Sequence, residues 1–389
     1  MTEALDRIRT YAAELDAIRQ DIHAHPELGL EEHRTADLVA RKLEEWGIEV
    51  HRGVGVTGVV GVLRSGNGPG SVGLRADMDA LPIQEANDVP YRSQTKGVMH
   101  ACGHDGHTTM LLGAARYLAE TRNFNGTVNF IFQPAEEGVG GALAMLRDGL
   151  FERFPCDAVY ALHNRSGMAV GEYAISPTAA ASGGAFFDIV IRGQGAHGAH
   201  PQTSVDPVLV GSQIVGALQS VVARNVSPTA TAVLSVTQFH AGDAYNVIPE
   251  TARIAGTARA FESSTMQLIE QRMRAVAEGV ASGFGAKAEV DFRLIFAPLV
   301  NDTEQAMALA DAAADLVGEP KVDRAKPAMM GSEDFAFMAE KVPGAYILVG
   351  QGTGCGPAHS PTYNYNDAAT PYGAAVYARA VERRLAKGT

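Results

Sequence analysis

Cys102-Gly-His-Asp-Gly-His-Thr-Thr-Met-Leu-Leu-Gly-Ala-Ala-Arg-Tyr-Leu-Ala119 is followed by Thr127-Val-Asn-Phe-Ile-Phe-Gln-Pro-Ala-Glu-Glu137. The first stretch reads as a helix and the second as a buried β-strand stopped by Pro134. Both carry metal-ligating side chains at one end. The same alternation extends outward. Helices are predicted near 3–24, 31–46, 106–121 and 140–150, and strands over Gly58–Leu63, Val72–Leu74, Thr127–Phe132 and Ala158–Leu162. It predicts an α/β fold, an open and mostly parallel sheet with helices on both faces.

The pattern changes after residue 183. Strands are predicted over 185–192, 230–239, 252–261 and 287–296, and helices over 206–224 and 262–283. That order, β-α-β-β-α-β, is the ferredoxin-like split motif. Beyond it the first pattern resumes, with helices over 302–317 and from about Ser332, a strand over 346–350 and a long closing helix. The expectation is a catalytic domain of residues 1–183 and 297–389, interrupted by a separate domain of residues 184–296.

Composition narrows the class. The chain has 389 residues, 46% of them hydrophobic and 20% charged, as in a soluble globular protein. A net charge of −12 argues against a nucleic-acid partner. Three cysteines, Cys102, Cys156 and Cys355, suggest no disulfide framework. The first residues read as an amphipathic helix rather than a signal peptide, and no apolar run approaches the roughly 20 residues that span a bilayer. A cytoplasmic location is expected.

The chemistry gathers after the strands. Cys102 and His104 lie two apart, so an extended backbone points both the same way. Asp105 is placed to N-cap the helix behind them. Glu136 and Glu137 follow a strand, and their side chains diverge. One can bind metal while the other faces substrate. His163 ends the strand at 158–162, His359 lies in the glycine-rich loop beyond 346–350, and Asp77 and Asp79 follow 72–74. Singly, each reads as well as a satisfied core or loop residue. Together they fall where open α/β sheets build their sites, outside the carboxyl ends of strands. Thiolate, imidazole and carboxylate in one place point to a metal-dependent hydrolase. His197 and His200 sit in a glycine-rich loop after the inserted domain's first strand, from which a histidine could reach a neighbouring site.

Eight motifs resemble one family along nearly the whole chain. They are Asp-Ile-His-Ala-His-Pro-Glu-Leu from Asp21, Arg-Ala-Asp-Met-Asp-Ala-Leu-Pro from Arg75, His-Ala-Cys-Gly-His-Asp-Gly-His from His100 and Gln-Pro-Ala-Glu-Glu-Gly from Gln133. Leu-His-Asn from Leu162, Asn-Val-Ile-Pro from Asn246, Gly-Ser-Glu-Asp-Phe from Gly331 and Ala-His-Ser-Pro from Ala358 complete the set. The chain is similar to the aminoacylase and hippurate-hydrolase branch of the two-metal amidohydrolase and carboxypeptidase superfamily. The resemblance implies that Cys102, His104, Glu137, His163 and His359 bind two divalent ions; thiolate with imidazole and carboxylate suits zinc or manganese first, then cobalt or nickel. It makes Glu136 the catalytic acid/base and Asp79 a carboxylate that sets the site. It implies a lid or dimerisation role for the inserted domain, with His197 reaching a partner's site in a homodimer, and substrate contacts at Asn246 and Arg259.

Two departures stand out. Asp77 occupies the place where carboxypeptidase-like relatives carry a histidine ligand, so it should not be a ligand here. Pro201-Gln202 stands where many members have Pro-His. The expected reaction is hydrolysis of an N-acyl amino acid, with a small-molecule substrate and no nucleic-acid or membrane partner. N-acetyl-diaminopimelate deacetylation, dipeptidase or carboxypeptidase activity, and a non-catalytic metal-binding relative are the alternatives.

Overall fold

The computed structural model of the protein describes residues 3–387. Its elements run α1 (Glu3–Arg9), α2 (Ala12–Ala24), α3 (His33–Glu45), β1 (Glu49–Val54), β2 (Gly58–Ser65), β3 (Ser71–Asp77), α4 (His104–Thr121), β4 (Gly126–Gln133), α5 (Gly141–Arg147), β5 (Ala158–Ser166) and β6 (Tyr173–Ile175). There follow β7 (Gly183–Arg192), α6 (Pro207–Asn225), β8 (Ala232–Ala241), β9 (Thr251–Ala260), α7 (Ser263–Gly283) and β10 (Lys287–Phe296). The chain closes with α8 (Thr303–Val317), β11 (Val322–Asp323), α9 (Phe335–Ala339), β12 (Gly344–Gly352) and α10 (Thr370–Arg384). The helix expected over 3–24 is two helices, broken at Thr10 and Tyr11, and the one expected from Ser332 begins at Phe335.

Two compact units result. The first comprises the chain up to Ala180, Val300–Pro327 and everything from Asp334. Its eight-stranded sheet has the order β1-β2-β4-β3-β5-β12-β6-β11. The central pairs β4·β3, β3·β5 and β5·β12 are parallel, while β1·β2, β2·β4 and β12·β6 are antiparallel. The parallel strands are buried almost throughout, as a sheet covered on both faces requires. The second unit comprises Ala181–Leu299 and 328–333. Its sheet, β8-β9-β7-β10, is antiparallel. Val210, Ile214, Leu218 and Val221 of α6 and Ile269 and Met273 of α7 pack with Phe187, Ile189 and Ile191 of β7 in one core. The βαββαβ order with this strand arrangement is ferredoxin-like. Among the described residues no helix is long and apolar enough to cross a membrane.

Helix α4 explains why the site is rigid. Fourteen of its 18 residues are buried, so its polar groups must find partners inside the protein. Thr108 donates to the carbonyl of Asp77 at 2.8 Å and Thr109 to that of Asp105 at 2.8 Å. Asp105 does not cap the helix as expected. Gly103, at φ +103°, precedes the first turn, and Asp105 lies inside it, fully buried. Its carboxylate has other work. His23 Nδ1 lies 2.8 Å from Asp105 Oδ2 and His23 Nε2 3.2 Å from Glu85 Oε1. Arg19, also fully buried, pairs with Asp367 at 2.6 Å. Burial alone would lower the His23 pKa, but the two carboxylates outweigh it and raise it to about 9.

His23 therefore carries its proton when folded, while an unfolded histidine loses it near 6.5. Its contribution to stability is fully present below about 6.5 and fades as pH rises through about 9. His23→Ala strands two buried carboxylates and should cost about 3–5 kcal/mol near neutrality. Denaturant melts of both proteins from pH 6 to 10 should show that gap narrowing on the alkaline side. A pH-independent gap would contradict the paired imidazolium.

Candidate metal centre

The loops that leave the carboxyl ends of β3, β4 and β12, the first residue of α4 and His163 within β5 bring seven of the sequence-predicted residues together, Asp79 among them. Cys102 Sγ lies 3.3 Å from His163 Nε2. His359 Nε2 lies 3.1 Å from Glu137 Oε1. His104 Nε2 lies 3.8 Å from Asp77 Oδ2 and 4.0 Å from both Glu136 Oε2 and Glu137 Oε1. Ligand atoms of Cys102, His104 and His163 fall within 4.8 Å of one another, as do those of Cys102, Glu137 and His359, and those of His104, Glu136 and Glu137. Cys102 is common to the first two groups.

Three of the ligands, His104, Glu137 and His163, are held from behind. His104 Nδ1 meets the Asp79 carbonyl at 2.9 Å and Asp79 Oδ1 at 3.1 Å. Both are acceptors, so Nδ1 carries a hydrogen and Nε2 is the ring atom that faces the site. The other Asp79 oxygen accepts the Glu137 backbone N–H at 2.9 Å. His163 Nδ1 donates to the Asn164 carbonyl at 2.7 Å, which frees its Nε2 in the same way. Buried Glu32 takes the Ala135 N–H at 2.8 Å and so fixes the turn that presents Glu136 and Glu137. Ala135 and His359 both adopt left-handed backbone, at φ +50° and +61°. Non-glycine residues hold that conformation only where their surroundings impose it.

Burial and neighbouring charge shift the titration of these groups in different directions. Burial would lower the His104 pKa, but the Asp77 charge and the bond to Asp79 raise it well above the ordinary value. Burial, with the nearby His107, pushes His163 well below. Burial pushes the Cys102 thiol up to about 12. The Glu137 carboxylate raises His359. His104 Nε2 is buried without a hydrogen bond, and Glu137 Oε1 is buried with ion-pair contacts only, the shortest to His359 at 3.1 Å. A half-buried thiol, two imidazole nitrogens and an unsatisfied carboxylate oxygen form a donor set that a divalent ion completes. Asp77 is spoken for: Arg75 Nη1 holds Oδ2 at 2.8 Å and His107 Nδ1 lies 2.6 Å from Oδ1.

A profile described as peptidase family M20/M25/M40 matches residues 73–383. The chain belongs to that family. A hippurate hydrolase of Campylobacter jejuni is 42% identical over 94% of this chain and 95% of its own length. The IAA-amino acid hydrolase ILR1-like 2 of Arabidopsis thaliana is 41% identical over 93% of this chain and 83% of its own. The crystal structure of the Bacillus subtilis YXEP protein, a dinuclear metal binding peptidase from the M20 family, superposes with a TM-score of 0.85 at 34% identity, covering 97% of this chain and 99% of that one. The present M20 chain is accordingly a metal-binding hydrolase that acts on amide bonds.

The other predicted residues lie in the second unit. His197 pairs with Val247 across a short antiparallel ladder, the Gly198 N–H bonds the Asn246 carbonyl at 2.7 Å, and the Ala199 N–H bonds His197 Nδ1 at 3.1 Å. The Arg259 guanidinium crosses Gly184, where a β-carbon would come within 1.9 Å of it. Among the described residues no carboxylate pairs with Arg259, and desolvation lowers its pKa. Sequence reasoning passed over His107, Glu32 and Tyr363. The spacing of His104 and His107, three apart on one helix face, was the available signal.

Cys102→Ala is expected to weaken divalent-metal binding by more than about 100-fold, beyond the 10–100-fold typical of losing an outer partner. Competition against a chromophoric chelator measures it. Unchanged affinity would remove Cys102 from the ligand set.

Proposed function

We propose that the protein hydrolyses the amide bond of N-acyl amino acids, giving a carboxylic acid and a free amino acid. The observation that carries this reading is the meeting of Cys102, His104, Glu137, His163 and His359 around a separate buried carboxylate, Glu136. The hippurate hydrolase and IAA-amino acid hydrolase relatives cleave acyl groups from amino acids by name, which supports the substrate class.

The five ligands would hold two divalent ions, which supply Lewis acidity toward the amide carbonyl and lower the pKa of the attacking water. Thiolate with imidazole suits zinc, and the carboxylate also accepts manganese, cobalt or nickel. Glu136, whose Oε2 stands 4.0 Å from His104 Nε2, takes the water's proton and returns it to the leaving nitrogen. Asp79 keeps His104 and Glu137 in register. Arg259 is a cation without a carboxylate partner among the described residues and suits the substrate's carboxylate, with Asn246 as a second contact. The second unit acts as lid and dimerisation domain, and His197 serves the oxyanion in the site of a second copy. The setting is the cytoplasm.

Purified protein given N-acetyl, N-benzoyl and long-chain acyl amino acids should release free amino acid, and a chelator should stop it. Failure on every acylated amino acid would refute the reading. Glu136→Ala should lower kcat by about 10²–10⁴ while metal content stays at the wild-type level. Unchanged turnover would remove Glu136 from its role.

A further inference from the structure

Asp77 and His107 take no part in the reaction derived above, yet both are completely buried beside the site. His107 stands between two groups. Its Nδ1 lies 2.6 Å from Asp77 Oδ1, and because a carboxylate only accepts, Nδ1 carries the hydrogen. Its Nε2 lies 2.5 Å from Asn164 Oδ1 and 3.1 Å from the Asn164 backbone nitrogen. The Asn164 amide nitrogen then donates to Tyr363 Oη at 2.7 Å, and Tyr363 donates to the Cys102 carbonyl at 3.2 Å. Arg75 anchors the far end through Asp77 Oδ2.

This chain of contacts ends on two metal-ligating residues. The Asn164 carbonyl is the group that orients the His163 ring, and the Cys102 carbonyl is the group held by Tyr363. Cys102 Sγ and His163 Nε2 meet at 3.3 Å. Gly103 shows how tight the junction is. A β-carbon there would sit 2.2 Å from Asn164 Oδ1 and 2.6 Å from Tyr363 Oη. Only glycine lets the Cys102–His104 segment pass over the Asn164–Tyr363 contact.

We propose that His107, clamped by Asp77, is a positioning residue for the Cys102–His163 half of the metal centre, acting through Asn164 and Tyr363. Asp77 thus serves the metal from behind, through His107. The proposal rests on the metal-binding reading given above.

Cobalt spectroscopy on the full chain separates the two. Wild-type protein stripped with a chelator and titrated with Co(II) should develop a near-ultraviolet thiolate-to-cobalt charge-transfer band from Cys102. His107→Gln and Asp77→Asn are close in shape to the originals and break the relay at different points. Both should bind the band-producing cobalt about 10–100-fold more weakly, with the band shifted or reduced at saturation. Circular dichroism checks each fold, and if one variant unfolds, the other carries the test. Wild-type affinity with an unaltered band in a folded variant would overturn the proposal, even if its melting temperature fell. Absence of the band in the wild type would overturn the metal reading itself.

Discussion

Asp79 grips two neighbours at once, and the site depends on that grip. One carboxylate oxygen takes the His104 ring hydrogen and the other takes the Glu137 backbone N–H. The first bond turns His104 Nε2 inward. The second fixes the residue beside Glu136. Because Asp79 itself is buried, neither bond competes with water, and each is stronger for it. One side chain thereby ties a ligand on α4 to the acid pair beyond β4.

The fold makes such a grip possible. Parallel strands β3, β4 and β5 end on one edge of the sheet, so residues far apart in sequence arrive within a few ångströms. Helix α4 begins at the same edge and is buried almost throughout, which forces its polar residues to bond to strand ends rather than to solvent. The buried charges follow the same logic on both sides of its first turn. His23 satisfies both Asp105 and Glu85, and Asp77 satisfies His107. A fluid surface could not hold a thiol and several carboxylates at these separations. A rigid interior can, at a cost in desolvation that bound cations would offset.

Much of this was legible in the sequence. Strand-like runs ending in Glu136, His163 and Asp79 were visible because buried parallel strands are continuous apolar stretches. The βαββαβ order of the second unit was visible because helical and strand periods alternate cleanly there. What stayed hidden was pairing at a distance. Nothing in the sequence joins His107 to Asn164 or Glu32 to Ala135, since these bonds depend on how helices lie across the sheet. Asp105 looked like a helix cap because aspartate before a helix usually is one. Burial beside His23 gave it a different task. The separate duties of Glu136 and Glu137 came from family resemblance, since spacing alone treats the two alike.

The central claim is that two divalent ions bind among these strand ends. Anomalous diffraction from crystals grown with zinc or manganese tests it most directly, by collecting on either side of the metal's absorption edge. The account predicts two peaks roughly 3.5–4 Å apart, both within bonding distance of ligands drawn from Cys102, His104, Glu137, His163 and His359. Peaks elsewhere, or none at full metal loading, would contradict it.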